Sequence, residues 1–437
     1  MLSTLARAAY TLLLHLGALL YFARLWWRGA REPMYRVALG ERLGFYKEGF
    51  APGRLWIHAV SLGETRAAGA LIEALRSQQP DLRILLTHGT ATGREAGTVL
   101  LRESDAQVWL PYDTPGAVRR FLRAHQPMAG VLMETEIWPN LIRACETLAI
   151  PIVLANARLS QRSLQKGLQL QALFGPAMKS LALVLAQTDA DARRLRQGGA
   201  PKVQVMGNLK FDMTPNSAQL AQGQAWHAAL GRNVVLMAVS RDGEEATLLS
   251  AWAAVPVPRP LLVIAPRHPQ RFDAVAALAS VRFKPVARRS SWADMPPESA
   301  VQADVWIGDT LGEMALYYAL ADVALLGGSF EPLGGHNLIE AAACGCPLLM
   351  GPHTFNFAQA AEMALAAGAA QRLADITGAV RRATELAISD ERDRMSAQAL
   401  SFAQAHRGAA ARMARQVLAV SEQPRLHKSV HKSADSA

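Results

Sequence analysis

Residues 327–351, GGSFEPLGGHNLIEAAACGCPLLMG, gather groups that could hold a phosphorylated ligand. Gly334 and Gly335 permit positive φ and a close approach of ligand to main chain. His336 and Asn337 then open an expected helix, NLIEAAACG, whose free N–H groups favour an anion at the loop. Glu340 follows Asn337 by three residues and so lies one turn in, placed for a hydroxyl-bearing group and not for the phosphate itself. A glycine-rich turn with a capped helix is the plainer reading of the loop alone. The His-Asn pair and the carboxylate one turn on point instead to a nucleotide or sugar-nucleotide site.

Cations and carboxylates at other expected strand ends extend this chemistry. IAPRHPQR closes a strand with Arg267, His268 and Arg271, donors matched to a phosphate or carboxylate. VSRDGEE sets Ser240 and Arg241 before a helix start, and GNLKFD adds Lys210 near a domain junction. One basic residue at a strand end is usually solvated surface, whereas several at one sheet edge suit an anion. In HAVSLGETRAAG, Glu64 falls in a first helical turn, where free N–H groups favour its ionised form and where a carboxylate could take a proton from an attacking hydroxyl. Plain capping explains it equally well. In METEIWPN, Glu134 and Glu136 alternate, so at most one is expected to face a ligand. Arg66 or Arg158 could partner the other in a purely structural ion pair. Walker A, HExxH, CxxC and GxGxxG patterns are absent, which argues against P-loop, zinc and dinucleotide chemistry.

The elements that must position these groups are short apolar runs alternating with helical patterns. RLWIHAV, RILLTHG, QVWLPYD, AGVLMET, PIVLANARL, SLALVLAQT and KVQVMGN form a first series. NVVLMAVS, PLLVIAPRHP, SVRFKPVARR, DVWIGDT, DVALLGG and PLLMG form a second. Each series implies a parallel sheet wrapped by helices, giving an α/β chain of two doubly wound domains with ligands at strand carboxyl ends facing the cleft between them. The expected boundaries are an anchor over 1–30, a first domain over 31–212, a linker with its own short helix over 213–232, a second domain over 233–421 and a disordered Ser- and Lys-rich tail over 422–437.

At 437 residues, 51% hydrophobic and 19% charged, the chain is long enough for two cores and too apolar for disorder. Its net charge of +10 favours an anionic partner. A phosphorylated substrate or an acidic membrane surface ranks ahead of nucleic acid, because no nucleic-acid module signature is present. Three cysteines provide no disulfide framework and fit a reducing compartment. No Asp, Glu, Lys or Arg stands between Ala8 and Ala23, and Leu25, Trp26 and Trp27 extend the apolar run around Arg24. This reads as a retained anchor, spanning or interfacial, rather than a signal peptide, since bulky basic residues follow it. Arg24, Arg28, Arg31 and Arg36 then place the body of the chain on the cytoplasmic side.

SLGET, ETEIWPN, NARLS, GNLKFD, APRHP and GGSF-x-P-x-GGHN-x-x-E occur in this order over nearly the whole chain beyond the anchor. Together they resemble the 3-deoxy-D-manno-octulosonic acid (Kdo) transferases of Gram-negative lipopolysaccharide synthesis. The resemblance implies an inverting GT-B glycosyltransferase with two Rossmann-like domains. Its donor would be CMP-Kdo and its acceptor the bisphosphorylated lipid A precursor, at the cytoplasmic face of the inner membrane. It further implies Glu64 as catalytic base and Glu136 as a second carboxylate. Lys210, Ser240, Arg267, His268, Gly334, Gly335, His336, Asn337 and Glu340 would line the donor site, with Arg66 and Arg158 toward the Kdo carboxylate or the acceptor. No metal is expected, since CMP leaves with a single phosphate. Two departures stand out: AVSRDGEE replaces the family's usual ASTHEGEE, and Glu331 brings a charge to the loop. A GT-B transferase using a nucleoside-diphosphate sugar, or a tethered binding protein for acidic glycolipids without turnover, are the alternatives.

Overall fold

The computed structural model describes residues 2–46 and 51–422, and these form two compact units. Unit 1 comprises the chain up to Asp212 together with the segment from Arg407 onward; unit 2 runs from Met213 to His406. The tail expected to be disordered lies outside the described residues except for Glu422.

Unit 1 is built on seven parallel strands: β1 (Leu55–His58), β2 (Ile84–His88), β3 (Ala106–Trp109), β4 (Ala129–Met133), β5 (Ile152–Ala157), β6 (Leu183–Ala186) and β7 (Val203–Val205), in the order β3-β2-β1-β4-β5-β6-β7. Strands buried on both faces read as continuous apolar runs, which is why most were legible; β7, VQV, is a partly exposed edge strand. Along β1 the faces alternate. Leu55 and Ile57 join a core with Leu71 and Leu75 of helix α2 (Leu62–Gln78), while Trp56 packs on the opposite side with Phe121 and Leu141.

Unit 2 repeats the plan with β8 (Val234–Ser240), β9 (Leu261–Pro266), β10 (Val286–Arg288), β11 (Val305–Ile307), β12 (Val323–Leu326), β13 (Leu348–Met350) and β14 (Ala370–Arg372), ordered β10-β11-β9-β8-β12-β13-β14 and again parallel throughout. In both sheets the order reverses once between inner strands, at β1/β4 and at β8/β12. Ligands of open α/β sheets collect at the carboxyl ends beside such a reversal.

Two expected boundaries change. Residues 213–232 are no linker: Ser217–Leu230 is a helix with Trp226 fully buried, and a Cβ at Gly223 would meet the Leu316 carbonyl oxygen, so this helix packs intimately into unit 2. The last helix, Ala409–Ser421, was expected in the second domain and belongs to unit 1. Its Met413 and Val417 are fully buried in the same core as Leu71 and Leu75. Asp212 fixes the return, its carboxylate accepting from the Gly408 N–H at 2.5 Å and the Ala410 N–H at 2.7 Å.

Candidate functional site

In unit 1 the groups of interest lie at the β1/β4 reversal. Ser61 caps α2, and its hydroxyl donates to the Glu64 carboxylate at 2.8 Å while the Val60 N–H donates to the other oxygen at 2.9 Å. Glu64 therefore does form a reciprocal cap. Burial nonetheless raises its pKa above the usual carboxylate range, with the nearby Glu134 charge adding to the effect. That is the direction a base working near neutral pH needs.

β4 ends at Met133, and Glu134 then adopts a left-handed φ of 57°, which abolishes the alternation assumed for Glu134 and Glu136. Both carboxyls join Glu64. Buried Glu134 accepts from the Arg158 Nε–H at 2.8 Å and lies 3.8 Å from the Lys210 ammonium. Burial first, then the charges of Glu64 and Glu134, push the Glu136 carboxyl up to about 7. Lys210, expected with the donor-binding residues of the second domain, sits in this unit 1 cluster, where burial lowers its pKa against the opposing pull of Glu134. Its turn is held by Asn156, whose side-chain oxygen accepts the Leu209 N–H at 3.1 Å from a left-handed φ of 51°. Of the two arginines proposed as partners, Arg158 is engaged by Glu134. Arg66 is exposed and pairs with no carboxylate among the described residues.

In unit 2 the second set lies at the β8/β12 reversal. Val239, next to last in β8, has φ 59°, a costly setting of about 1–3 kcal/mol for a β-branched residue. A Cβ at Gly327 would lie 2.3 Å from the Val239 carbonyl oxygen, so only glycine admits this close passage. Left-handed Glu134, Asn156 and Val239 thus mark strand ends at the two clusters, as strained backbone at functional sites tends to do.

The glycine loop is pinned by a residue that sequence reasoning left unassigned. Glu244 is 1% exposed, and its carboxylate accepts the Gly328 N–H at 2.8 Å, the Phe330 N–H at 3.4 Å and the Arg241 N–H at 2.9 Å. Glu245 beside it is as deeply buried and accepts from the Ser240 hydroxyl at 2.9 Å and from Arg271 at 3.0 Å. Ser240 is therefore committed inward and is no ligand group, and Arg271 is further engaged by Asp242 at 2.7 Å. GEE read as a helix start because acidic residues are rarely fully buried; the Gly328 and Phe330 N–H groups and the Arg271 guanidinium come from sequence-distant elements, and only the Arg241 N–H and the Ser240 hydroxyl are local.

Arg241, Arg267 and His268 lie around His336. Burial, then the Arg267 and Arg241 charges with His268 beside them, hold the His336 imidazole down at about 4, and burial with the surrounding arginines lowers His268 as well, so the standing positive charge is that of the arginines. Arg241 makes no ion pair among the described residues. Two arginines that hold both imidazoles down present a field suited to an anion. Gly335 N–H donates to the Gly328 carbonyl at 2.7 Å, and Gly334 sits so close to Asn356 that a Cβ would collide with it. Both glycines have positive φ, as expected. Asn337 caps the following helix through a bond from the Ile339 N–H at 3.2 Å, but that helix, Leu338–Ala343, is only six residues long. The side-chain cations, more than a helix dipole, make this edge positive. Glu340 stands in its first turn, and Glu331 is exposed.

Residues 38–213 match the family model of 3-deoxy-D-manno-octulosonic-acid transferase (kdotransferase). The 3-deoxy-D-manno-octulosonic acid transferase of Bordetella pertussis is 45% identical over 93% of this chain and 98% of its own length. The enzyme of the same name from Haemophilus influenzae is 33% identical over 88% of this chain and 91% of its own. Among solved structures, a glycosyltransferase from Rickettsia africae shares the fold at a TM-score of 0.56 and 10% identity, covering 87% of this chain and all of that one. Two parallel-sheet α/β units of the kind found in GT-B glycosyltransferases, and an identity sustained across both, mean that this chain belongs to the Kdo transferase family.

Proposed function

We propose that the protein transfers Kdo, with inversion, from CMP-Kdo to a hydroxyl of the lipid A precursor, working at the cytoplasmic face of the inner membrane. The observation that carries the donor assignment is the cluster of Arg241, Arg267 and His268 around His336 at the β8/β12 edge, beside a loop whose glycines admit a ligand to the main chain. A cytidine monophosphate fits there, with its phosphate among the cations and its ribose hydroxyls toward Glu340. Unit 1 supplies the base. Glu64 takes the proton of the acceptor hydroxyl as that oxygen bonds the anomeric carbon of Kdo, and the bond from that carbon to the CMP phosphate oxygen breaks. CMP departs with the electron pair, its charge offset by the arginines. Lys210 and Arg158, held against Glu134, would meet the Kdo carboxylate or the acceptor; their contacts with Glu134 beside Glu64 support this. Arg66, exposed on α2, is kept only for the acceptor.

Mass spectrometry of the product formed from CMP-Kdo and lipid A precursor tests this directly, in buffer containing EDTA because the reading assigns no step to a metal. The expected result is a mass gain of whole Kdo units, inhibited by CMP and not by UDP. No product under these conditions, or inhibition by UDP alone, overturns the donor assignment.

A further inference from the structure

Helix α1 (Leu2–Arg28) is long and apolar enough to cross a membrane, with a mean hydropathy of 1.4 over its best window. At a rise of about 1.5 Å per residue it would measure about 40 Å. Its packing does not fit a crossing. Arg7, Tyr10, Leu14, Gly17, Tyr21 and Leu25, spaced three or four apart, form one face that unit 1 covers from end to end. Near the start, Ser3, Thr4 and Arg7 border a groove of about 410 Å³ shared with Arg143 and Lys179. Midway, the Tyr10 hydroxyl donates to Asp113 at 3.0 Å and the Asn140 amide donates to the Thr11 hydroxyl at 3.0 Å. Farther along, Tyr21 stacks on Tyr112 at 4.7 Å and accepts from Arg42 at 2.9 Å, and Leu25 is buried with Tyr35 and Ala91.

The opposite face is unpartnered and apolar. Leu5, Leu12, Leu16, Leu19 and Trp26, spaced three, four or seven apart, are all exposed, with Trp27 beside the last. To cross a bilayer, α1 would have to peel away from these polar contacts or carry into hydrocarbon the neighbouring surfaces that bear Arg143, Glu146 and Lys179. The charge around it is one-sided. No Asp or Glu precedes Glu32, while Arg24, Arg28, Arg31 and Arg36 are exposed at its tryptophan end, and Arg36 lies 4.6 Å over the Trp26 ring. An apolar stripe, interfacial tryptophans and a cationic flank match an anionic phospholipid surface.

We propose that α1 does not span the membrane but lies flat in the headgroup layer of an anionic bilayer, its leucine stripe toward the acyl chains and unit 1 seated on its other face. This rests on the membrane location given in the proposed function and adds the orientation. Both ends of α1 then stay on the cytoplasmic side.

The test uses the full chain with Cys344→Ser, since Cys145 and Cys346 are buried, and single cysteines at the exposed positions Ser3→Cys and Ala30→Cys. In intact, cytoplasm-side-out membrane vesicles of the expressing bacterium, a membrane-impermeant maleimide should label both positions to the same extent without detergent. Labelling of Ala30→Cys alone, with Ser3→Cys reacting only after permeabilisation, overturns the flat orientation while leaving the membrane location intact. Failure of the chain to sediment with membranes overturns both. As a second measure, Leu12→Glu with Leu16→Glu should weaken sedimentation with phosphatidylglycerol vesicles by about tenfold or more at unchanged thermal unfolding; unaltered binding counts against the stripe.

Discussion

Replacing Glu64 by Gln separates the two readings that its position invites. The carboxylate accepts one bond from the Val60 N–H and one from the Ser61 hydroxyl, and an amide oxygen can keep one of them. Losing the other costs about 1.5–3 kcal/mol if the carboxylate is ionised. For a unit of this size such a loss lowers the melting temperature by roughly 2–4 °C per kcal/mol. With a reserve of about 5–15 kcal/mol the variant stays essentially all folded at 25 °C, so a purely capping Glu64 predicts a nearly unchanged kcat. A catalytic base predicts a fall of about 10²–10⁴-fold, or about 2.7–5.4 kcal/mol of transition-state stabilisation. The assay is single-turnover transfer from CMP-Kdo read by mass spectrometry, paired with a melting curve and CMP titration on the same preparation. Ser61→Ala serves as the control: it keeps the carboxylate, removes a capping hydroxyl worth about 0.5–2 kcal/mol, and should leave kcat within a small factor. If Glu64→Gln retains kcat to within about threefold while its melting temperature drops as calculated, the base assignment is wrong.

Acidification through about 7 should slow transfer, because the Glu136 carboxyl protonates there and its charge no longer helps keep Glu64 basic. Its native pKa lies above the unfolded value, so the same protonation should slightly stabilise the fold, and Glu136→Gln should remove this limb of the kcat/KM profile; a profile unchanged by that substitution refutes the coupling. Glu244→Gln sets an amide N–H₂ against loop N–H donors, forfeiting charged bonds worth about 1.5–3 kcal/mol each, and should raise the CMP Kd at least about tenfold by calorimetry. Wild-type CMP affinity in a folded variant would remove Glu244 from the donor loop's support. Glu331→Ala should change stability by no more than about 0.5 kcal/mol and leave kcat/KM as it is, since the side chain is exposed, and a larger loss in either would give Glu331 a role its exposure does not suggest.

How much was legible in the sequence follows from the physics of each element. Runs such as VVLMAVS and DVALLGG are apolar throughout because both faces of a parallel strand are covered, so strands and their carboxyl ends could be read directly. β14 is the three-residue AQR and has no such run. The helix at Ala409–Ser421 showed that it would bury a face, but amphipathicity does not name the partner, and that partner lay some 340 positions earlier on α2. Glu64 and Arg267 could be picked out because each follows a strand end within a few residues, and His336 because it follows the glycine loop. Period-two alternation misjudged Glu134 because a single left-handed residue redirects the chain. Ser240, Glu244 and Glu245 were misread or passed over because their partners, two of them on the glycine loop, come together only in the fold.

The return of the last helix to unit 1 has a consequence for the nascent chain. The face of the first core that meets Met413 and Val417 is complete in sequence by Leu209, yet its cover is made only after the whole of unit 2. At about 5–20 residues per second, roughly 200 intervening residues take on the order of 10–40 s. Unit 2 can close on itself in that interval, while the Leu71–Leu75 side of α2 waits uncovered, a hydrophobic surface that the cell must shield until the final turn of helix leaves the ribosome.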